Sequence, residues 1–157
     1  MLIDTHVHLN ADQYVGEVDE VIKRAEDNGI EKFVVIGFDR KTINRTMELI
    51  DTYDNVYGVI GWHPVDAIDM TDGDLKWIEE LSAHEKIVAI GEMGLDYHWD
   101  KSPKDVQKEV FKKQIELAKR VKLPIVIHNR EATRDTINIL KEVGGQAVLG
   151  RQPTQTT

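Results

Sequence analysis

His6, His8, His63, Glu92 and His128 are the side chains whose types and spacing could do chemistry together. His6 and His8 are two residues apart, and on a strand that spacing turns both imidazoles to one face. A lone His-x-His also arises by chance on surface strands, so the pair gains weight only from its position in the fold. Glu92 stands in Gly91-Glu92-Met93-Gly94, where small neighbours let the backbone come close. A carboxylate bridging two metal ions fits that setting, and so does a solvated loop carboxylate. His128 follows Pro124-Ile125-Val126-Ile127, an apolar run expected to be buried. It is either a ligand or a core histidine satisfied by a carbonyl, and its company with His6, His8 and Glu92 favours the ligand. Three imidazoles and a carboxylate suit Zn, Mn, Fe or Ni better than a hard, all-oxygen Mg or Ca site. Such a site brings bound water close to neutrality in pKa, which is hydrolase chemistry.

Other residues carry two readings each. His63, fixed away from helix by Pro64, orients a substrate phosphate or caps its own loop. Arg130 is a candidate phosphate clamp, because a guanidinium pairs bidentately with phosphate oxygens; a solvated loop arginine is the bland alternative. Asp39, beside Arg40, reads as the cap of a helix starting near Thr42. His84 needs only a helix C-terminus. Tyr97, His98 and Trp99, in the loop expected after Glu92, line a pocket, stack on a base or simply pack.

These residues need a frame that brings them to one place. Short apolar β-rich runs occupy residues 2–8, 32–36, 56–61, 87–90, 124–127 and, weakly, 147–149. Between them lie helical windows. Val18, Val21, Ile22 and Ala25 share one face, with Gly29 placed as a C-cap glycine. Asp74 is the expected N-cap for a helix carrying Trp77, Ile78 and Leu81. Val106, Val110, Phe111, Leu117, Ala118 and Val121 mark a longer helix, and Ile137, Leu140 and Val143 another after residue 131. Continuous apolar strands alternating with helices predict an α/β chain with a parallel sheet. No Gly-x-Gly-x-x-Gly follows the first strand, so a dinucleotide-binding fold has no support. A closed (β/α) barrel takes about 250 residues for eight units, or about 31 each. The 157 residues therefore supply about five. In such a sheet the C-terminal strand ends share one rim, where ligands bind. His6 and His8, Asp39, His63, Glu92 and His128 fall at the ends of the first to fifth runs in turn. That repetition is the strongest signal in the sequence.

Composition bounds the rest. Hydrophobic residues make up 41% and there are 11 glycines, an ordinary globular composition. There is no cysteine, so disulfides, thiolate metal sites and cysteine nucleophiles are excluded. Twenty basic against 28 acidic residues give a net charge of -8, which excludes non-specific coating of nucleic acid. Gripping one strand end, or reaching a phosphate through metal ions, stays open. No apolar run approaches the roughly 20 residues of a membrane-spanning helix, and Met1-Leu2-Ile3-Asp4-Thr5-His6 has no signal-peptide pattern. The expected setting is cytoplasmic, with no membrane partner.

Four motifs in order carry a family resemblance. Ile3-Asp4-Thr5-His6-Val7-His8-Leu9, Gly61-Trp62-His63-Pro64, Gly91-Glu92-Met93-Gly94-Leu95-Asp96-Tyr97, and Gln107…Phe111…Gln114…Ala118…Pro124…His128-Asn129-Arg130-Glu131-Ala132 resemble the TatD-type metal-dependent deoxyribonucleases, members of the amidohydrolase-like barrels. The likeness runs from residue 1 to about 145. It implies a TIM-type (β/α) barrel, incomplete here, and two divalent ions per complete site, drawn from Zn, Mn, Mg, Ni or Fe. By position it implies His6, His8, Glu92 and His128 as metal ligands, with Glu92 shared and also catalytic, and His63 beside the substrate phosphate. The implied reaction is hydrolysis of DNA phosphodiesters by a metal-bound hydroxide, trimming a strand from its 3′ end.

The resemblance also implies a later histidine in a His-x-Phe-Ser-Gly stretch and a later aspartate. This chain reads instead Gln146-Ala147-Val148-Leu149-Gly150-Arg151-Gln152-Pro153 and then Thr and Gln only. The expectation is a barrel portion over residues 1–149 and a polar flexible tail over 150–157, as from an interrupted reading frame. A catalytically impaired fragment, or an amidohydrolase acting on a small amide or ester, are the alternatives. Five units cannot close a ring. They would leave an apolar inner face and two open sheet edges, so self-association is expected.

Overall fold

Strand and helix alternate throughout the computed structural model, which describes residues 1–143. The strands are β1 (Leu2–Val7), β2 (Ile30–Gly37), β3 (Val56–Ile60), β4 (Ile87–Asp96) and β5 (Ile125–Arg130). The helices are α1 (Val18–Glu26), α2 (Arg40–Thr52), α3 (Asp72–Leu81), α4 (Lys104–Val121) and α5 (Thr133–Val143). All strands pair in parallel, in sequence order. They form the expected fold, a curled half-barrel of five βα units. A helix lies in each connection between successive strands, and the strand order follows the chain order.

The helix-covered face holds the main core. Phe33, Val35, Val56, Ile60 and Ile90 of the strands meet Ile22, Ile43, Ile50, Ile78 and Phe111 of the helices. Each such side chain contributes about 1.5–3 kcal/mol relative to exposure. The opposite face carries a smaller cluster of strand residues only, Ile36, Val59 and Ala89, flanked by Val34, Val88 and Val126. β1 and β5 are the edges of the sheet among the described residues. Leu2 and Ile3 of β1 are 60% and 46% exposed, whereas β2 to β4 are buried along most of their length. No helix among the described residues is long and apolar enough to cross a membrane.

Several local expectations change. β4 runs on to Asp96 and β5 to Arg130, so Glu92 and His128 lie within strands rather than after them. α3 is capped by Thr71, not Asp74; Asp74 is the third helical residue and closes a capping box, its Oδ2 accepting from the Thr71 N–H at 2.9 Å. Arg40 bonds Asp74 from outside and lies 4.5 Å over the Trp77 ring. Asp39 does cap α2, in a box with Thr42, and the helix opens at Arg40. α5 buries Thr136 and Ile139 and packs Leu140 and Val143 against the core as expected, while Ile137 is exposed instead. The weak strand over residues 147–149 and the boundary at residue 149 lie outside the described residues.

Candidate metal centre

The glycines around Glu92 set the spacing of β4 and β5. Gly91 and Gly94 have φ of 152° and 144°. A Cβ on Gly94 would lie 2.0 Å from the His128 carbonyl oxygen, and one on Gly91 would lie 2.5 Å from that of Val126. Only glycine permits this approach. Gly94 pairs with His128 and Asp96 with Arg130 in the β4–β5 register.

That close pairing brings the carboxylate of Glu92 between two groups of imidazoles. Its Oε2 lies 3.6 Å from His6 Nε2, and its Oε1 lies 3.3 Å from His128 Nδ1. His6, His8 and Glu92 offer ligand atoms all within 4.8 Å of one another, and so do His63, Glu92 and His128. Two donors each about 2.1 Å from one ion are at most about 4.2 Å apart, and the two Glu92 contacts satisfy that limit. His8 Nδ1 is buried with no hydrogen-bond partner among the described residues. An imidazole nitrogen left so costs about 1–3 kcal/mol, and a cation would take its lone pair. The donor set therefore fits divalent metal ions.

The rings follow one another around the rim. His6 meets His8 edge-on at 5.1 Å, His8 meets Phe38 at 5.5 Å, Phe38 meets His63 at 6.1 Å, and His63 meets His128 at 4.3 Å. Phe38, Val65, His8, His63 and Glu92 line an open cleft there.

His63 Nδ1 accepts the Val65 N–H at 3.2 Å. Burial, and next to it the charge of His128, hold the His63 pKa below its usual value. The ring is then neutral, with its proton on Nε2. Nε2 then offers a hydrogen rather than a lone pair, although His63 has a ring nitrogen within 4.8 Å of donor atoms of Glu92 and His128.

His128 Nε2 lies 2.8 Å from Asp96 Oδ2. The hydrogen bond to Glu92 raises the His128 pKa; burial opposes it, and Asp96 reinforces it. Burial pushes Glu92 upward, but the bond from His128 and the charges of His6 and His128 outweigh it and hold Glu92 below the usual range. Glu92 is thus an anion at neutral pH. Both His128 nitrogens face carboxylates, which favours the protonated ring; with a cation bound at Nδ1, Asp96 would hold the remaining proton on Nε2, the arrangement carboxylates give metal-binding histidines.

Sequence reasoning gave Asp96 no role. Its signal was the even spacing of residues 92, 94 and 96 along one strand, hidden by a glycine pair that reads as a loop. Two more supports were missed. Gln107 and Gln114, one and none per cent exposed, project from α4 and clamp strand ends. Gln114 accepts the Trp62 N–H at 2.8 Å and donates to the Trp62 carbonyl at 3.0 Å, immediately before His63. Gln107 does the same for Asp96, at 2.8 and 2.9 Å. Their seven-residue spacing is two helical turns, so both meet the sheet. Asn10 donates to the carbonyls of Ile36 and Thr42, at 2.8 and 3.2 Å, and holds the turn after His8. Arg130, on the same face of β5 as His128 by alternation, ends the strand, exposed. His84 pairs with Asp51 at 3.0 Å on the helix-bearing side.

Comparisons with known proteins agree with this architecture. A family model described as "TatD related DNase" matches residues 3–151. The chain is 68% identical over 150 residues to the "uncharacterized metal-dependent hydrolase YabD" of Bacillus subtilis strain 168, covering 96% of this chain and 59% of that protein. It is 32% identical over 165 residues to human "deoxyribonuclease TATDN3", covering 94% of this chain and 59% of that one. The crystal structure of YJJV, a TatD homolog from Escherichia coli K12, superposes with a TM-score of 0.84 at 29% identity, over 90% of this chain and 55% of that chain. The chain thus spans about three fifths of the length of the relatives it matches.

Proposed function

The chain belongs to the TatD-related DNase family, and from that premise we propose that it carries the metal-binding part of a hydrolase cleaving DNA phosphodiesters at strand ends. In this reading His6, His8, Glu92 and His128 hold two divalent ions, from among Zn, Mn, Mg, Ni and Fe, with Glu92 common to both. One observation carries it: a single carboxylate turns one oxygen to His6 at 3.6 Å and the other to His128 at 3.3 Å. The deoxyribonuclease name of the human relative supports DNA as the substrate.

When bound, such ions act as Lewis acids on phosphoryl oxygens and make water acidic near neutral pH. The chain's own residues do the rest. Neutral His63 would donate a hydrogen bond from its Nε2–H to a phosphoryl oxygen, stabilising the charge that builds there, and so take part in catalysis as well as binding. Asp96 keeps the His128 ring in one tautomer. Arg130 clamps a phosphate of the strand bidentately.

Metal titration tests the reading. Purified chain is expected to bind two Mn or Zn ions, and the His6→Ala/His8→Ala double variant fewer. A nuclease assay on single-stranded DNA, beside small amides and esters, then identifies the substrate. No metal bound by the parent chain, or turnover of amides alone, would overturn the proposal.

The same half-barrel exposes Leu2 and Ile3 on the β1 edge, and open edges template pairing. We expect this chain to self-associate. A monodisperse monomer in light scattering, with cooperative unfolding, would contradict that.

A further inference from the structure

Beyond the metal centre, the loops after β4 and β5 form one structure. Asp96, which holds His128 with Oδ2, accepts with Oδ1 from the backbone N–H groups of His98 at 3.0 Å and Trp99 at 3.3 Å. His98 Nδ1 meets Glu131 Oε1 at 3.1 Å across the two loops. Glu131 holds a left-handed φ of 55°, rare for a residue with a side chain. Tyr97 donates to Asp135 at 2.6 Å and lies under Lys104 at 4.5 Å, which pins the base of the loop.

This rigid frame presents an aromatic ring that nothing in the core uses. Trp99 is 55% exposed. His98 meets it edge-on at 4.8 Å, and the Arg130 guanidinium stands 5.8 Å from its ring centre. Arg130 shares the face of β5 with His128, two residues further along the strand, or about 7 Å. An indole face beside a cation, next to candidate phosphodiester chemistry, matches one ligand chemistry best. That is an unstacked nucleobase with its own phosphate, because every base has a face to stack and a charge at its backbone. The chain's net charge of -8 makes a local cation necessary for such binding, and Glu131, the acidic residue next to Arg130, is turned to His98.

We propose that Trp99 and Arg130 form a base-stacking subsite, in which Trp99 takes the base of a nucleotide adjoining the scissile phosphate and Arg130 takes its phosphate. The proposal rests on the nuclease reading above. One carboxylate, Asp96, then ties the position of that base to the position of His128.

The test is binding of a short labelled single-stranded oligodeoxynucleotide to the full chain loaded with Mn, read by fluorescence polarisation. A matched strand lacks the bases at its terminal positions. Trp99→Ala is expected to weaken binding of the complete strand about 10-fold or more, the scale of one lost base–aromatic stack. The abasic strand is expected to bind parent and variant alike, and Trp99→Phe to restore most of the affinity. Equal binding of the complete strand by parent and Trp99→Ala would overturn the subsite and leave the nuclease reading standing. So would an equal loss on both strands. If the parent binds neither strand, both readings fall together. Trp99 is exposed, and unchanged thermal unfolding of the variant confirms that the fold is intact.

Discussion

If the chain holds metal and cleaves DNA as proposed, Glu92→Gln is expected to remove metal from both ligand groups at once and to lower cleavage by about 100-fold or more, the scale of removing a group that acts on the reacting atoms. The substitution keeps the shape of the side chain, deletes its charge and turns one of its two acceptors into a donor. That charge is the point at issue. Burial alone would drive Glu92 toward the neutral acid, yet His128 and His6 hold it ionised. The two oxygens face different groups, so an amide fails on both sides: its NH2 end has no lone pair for a cation, and its oxygen carries no net charge. His6→Ala touches one group only, so it should lose about one equivalent while the other remains. The contrast is read from metal content after dialysis, beside cleavage of a labelled single strand. A Gln variant that keeps two equivalents would show that Glu92 is a bystander. His84→Ala, distant and paired with Asp51, serves as the control for both readouts.

The residues that meet at Glu92 were legible because their spacing is a property of strands. His6 and His8 share a face wherever β1 forms, and a strand-end histidine recurs because the rim is a consequence of parallel pairing. The order of the strands was legible for the same reason. What the sequence concealed was the length of β4. Gly91 and Gly94 look like punctuation, since glycine usually breaks a strand. Here they let β5 come close enough that the strand continues through them, and with it Asp96 comes into line with Glu92. The buried amides were hidden differently. Gln107 and Gln114 sit among apolar residues of α4 at helical spacing, and composition alone gives no reason for a glutamine there. Their partners are backbone groups at Trp62 and Asp96, which have no signature in side-chain type. The cap at α3 slipped from Asp74 to Thr71 because either residue can accept the orphan N–H groups of a first turn. The extended backbone at Thr71 decides between them.

Among the described glycines, Gly94→Ala should be the most destabilising single methyl, by about 3–5 kcal/mol, at the upper end of what single substitutions do. Two effects add. The φ of 144° is strained for any side chain, and the new Cβ would stand 2.0 Å from the His128 carbonyl oxygen. That oxygen belongs to backbone, so it cannot swing aside as a side-chain tip would. β4 and β5 must part or the local chain must unfold. Gly16→Ala separates the two effects. Its φ of 83° is also left-handed, but nothing lies within 4 Å of the added carbon. It should lose only the conformational share, about 1–2 kcal/mol. Urea unfolding of both variants measures the difference, which belongs to the strand overlap. Should Gly94→Ala fall within about 1 kcal/mol of Gly16→Ala, the close approach of the two strands would not be what the fold depends on. The candidate metal centre depends on the same contact. The 3.3 Å between Glu92 and His128 exists only while those strands stay in contact. Any folded fraction of Gly94→Ala should therefore bind metal more weakly than Gly16→Ala at equal foldedness, and a methyl group with no chemistry of its own would disable the site by widening it.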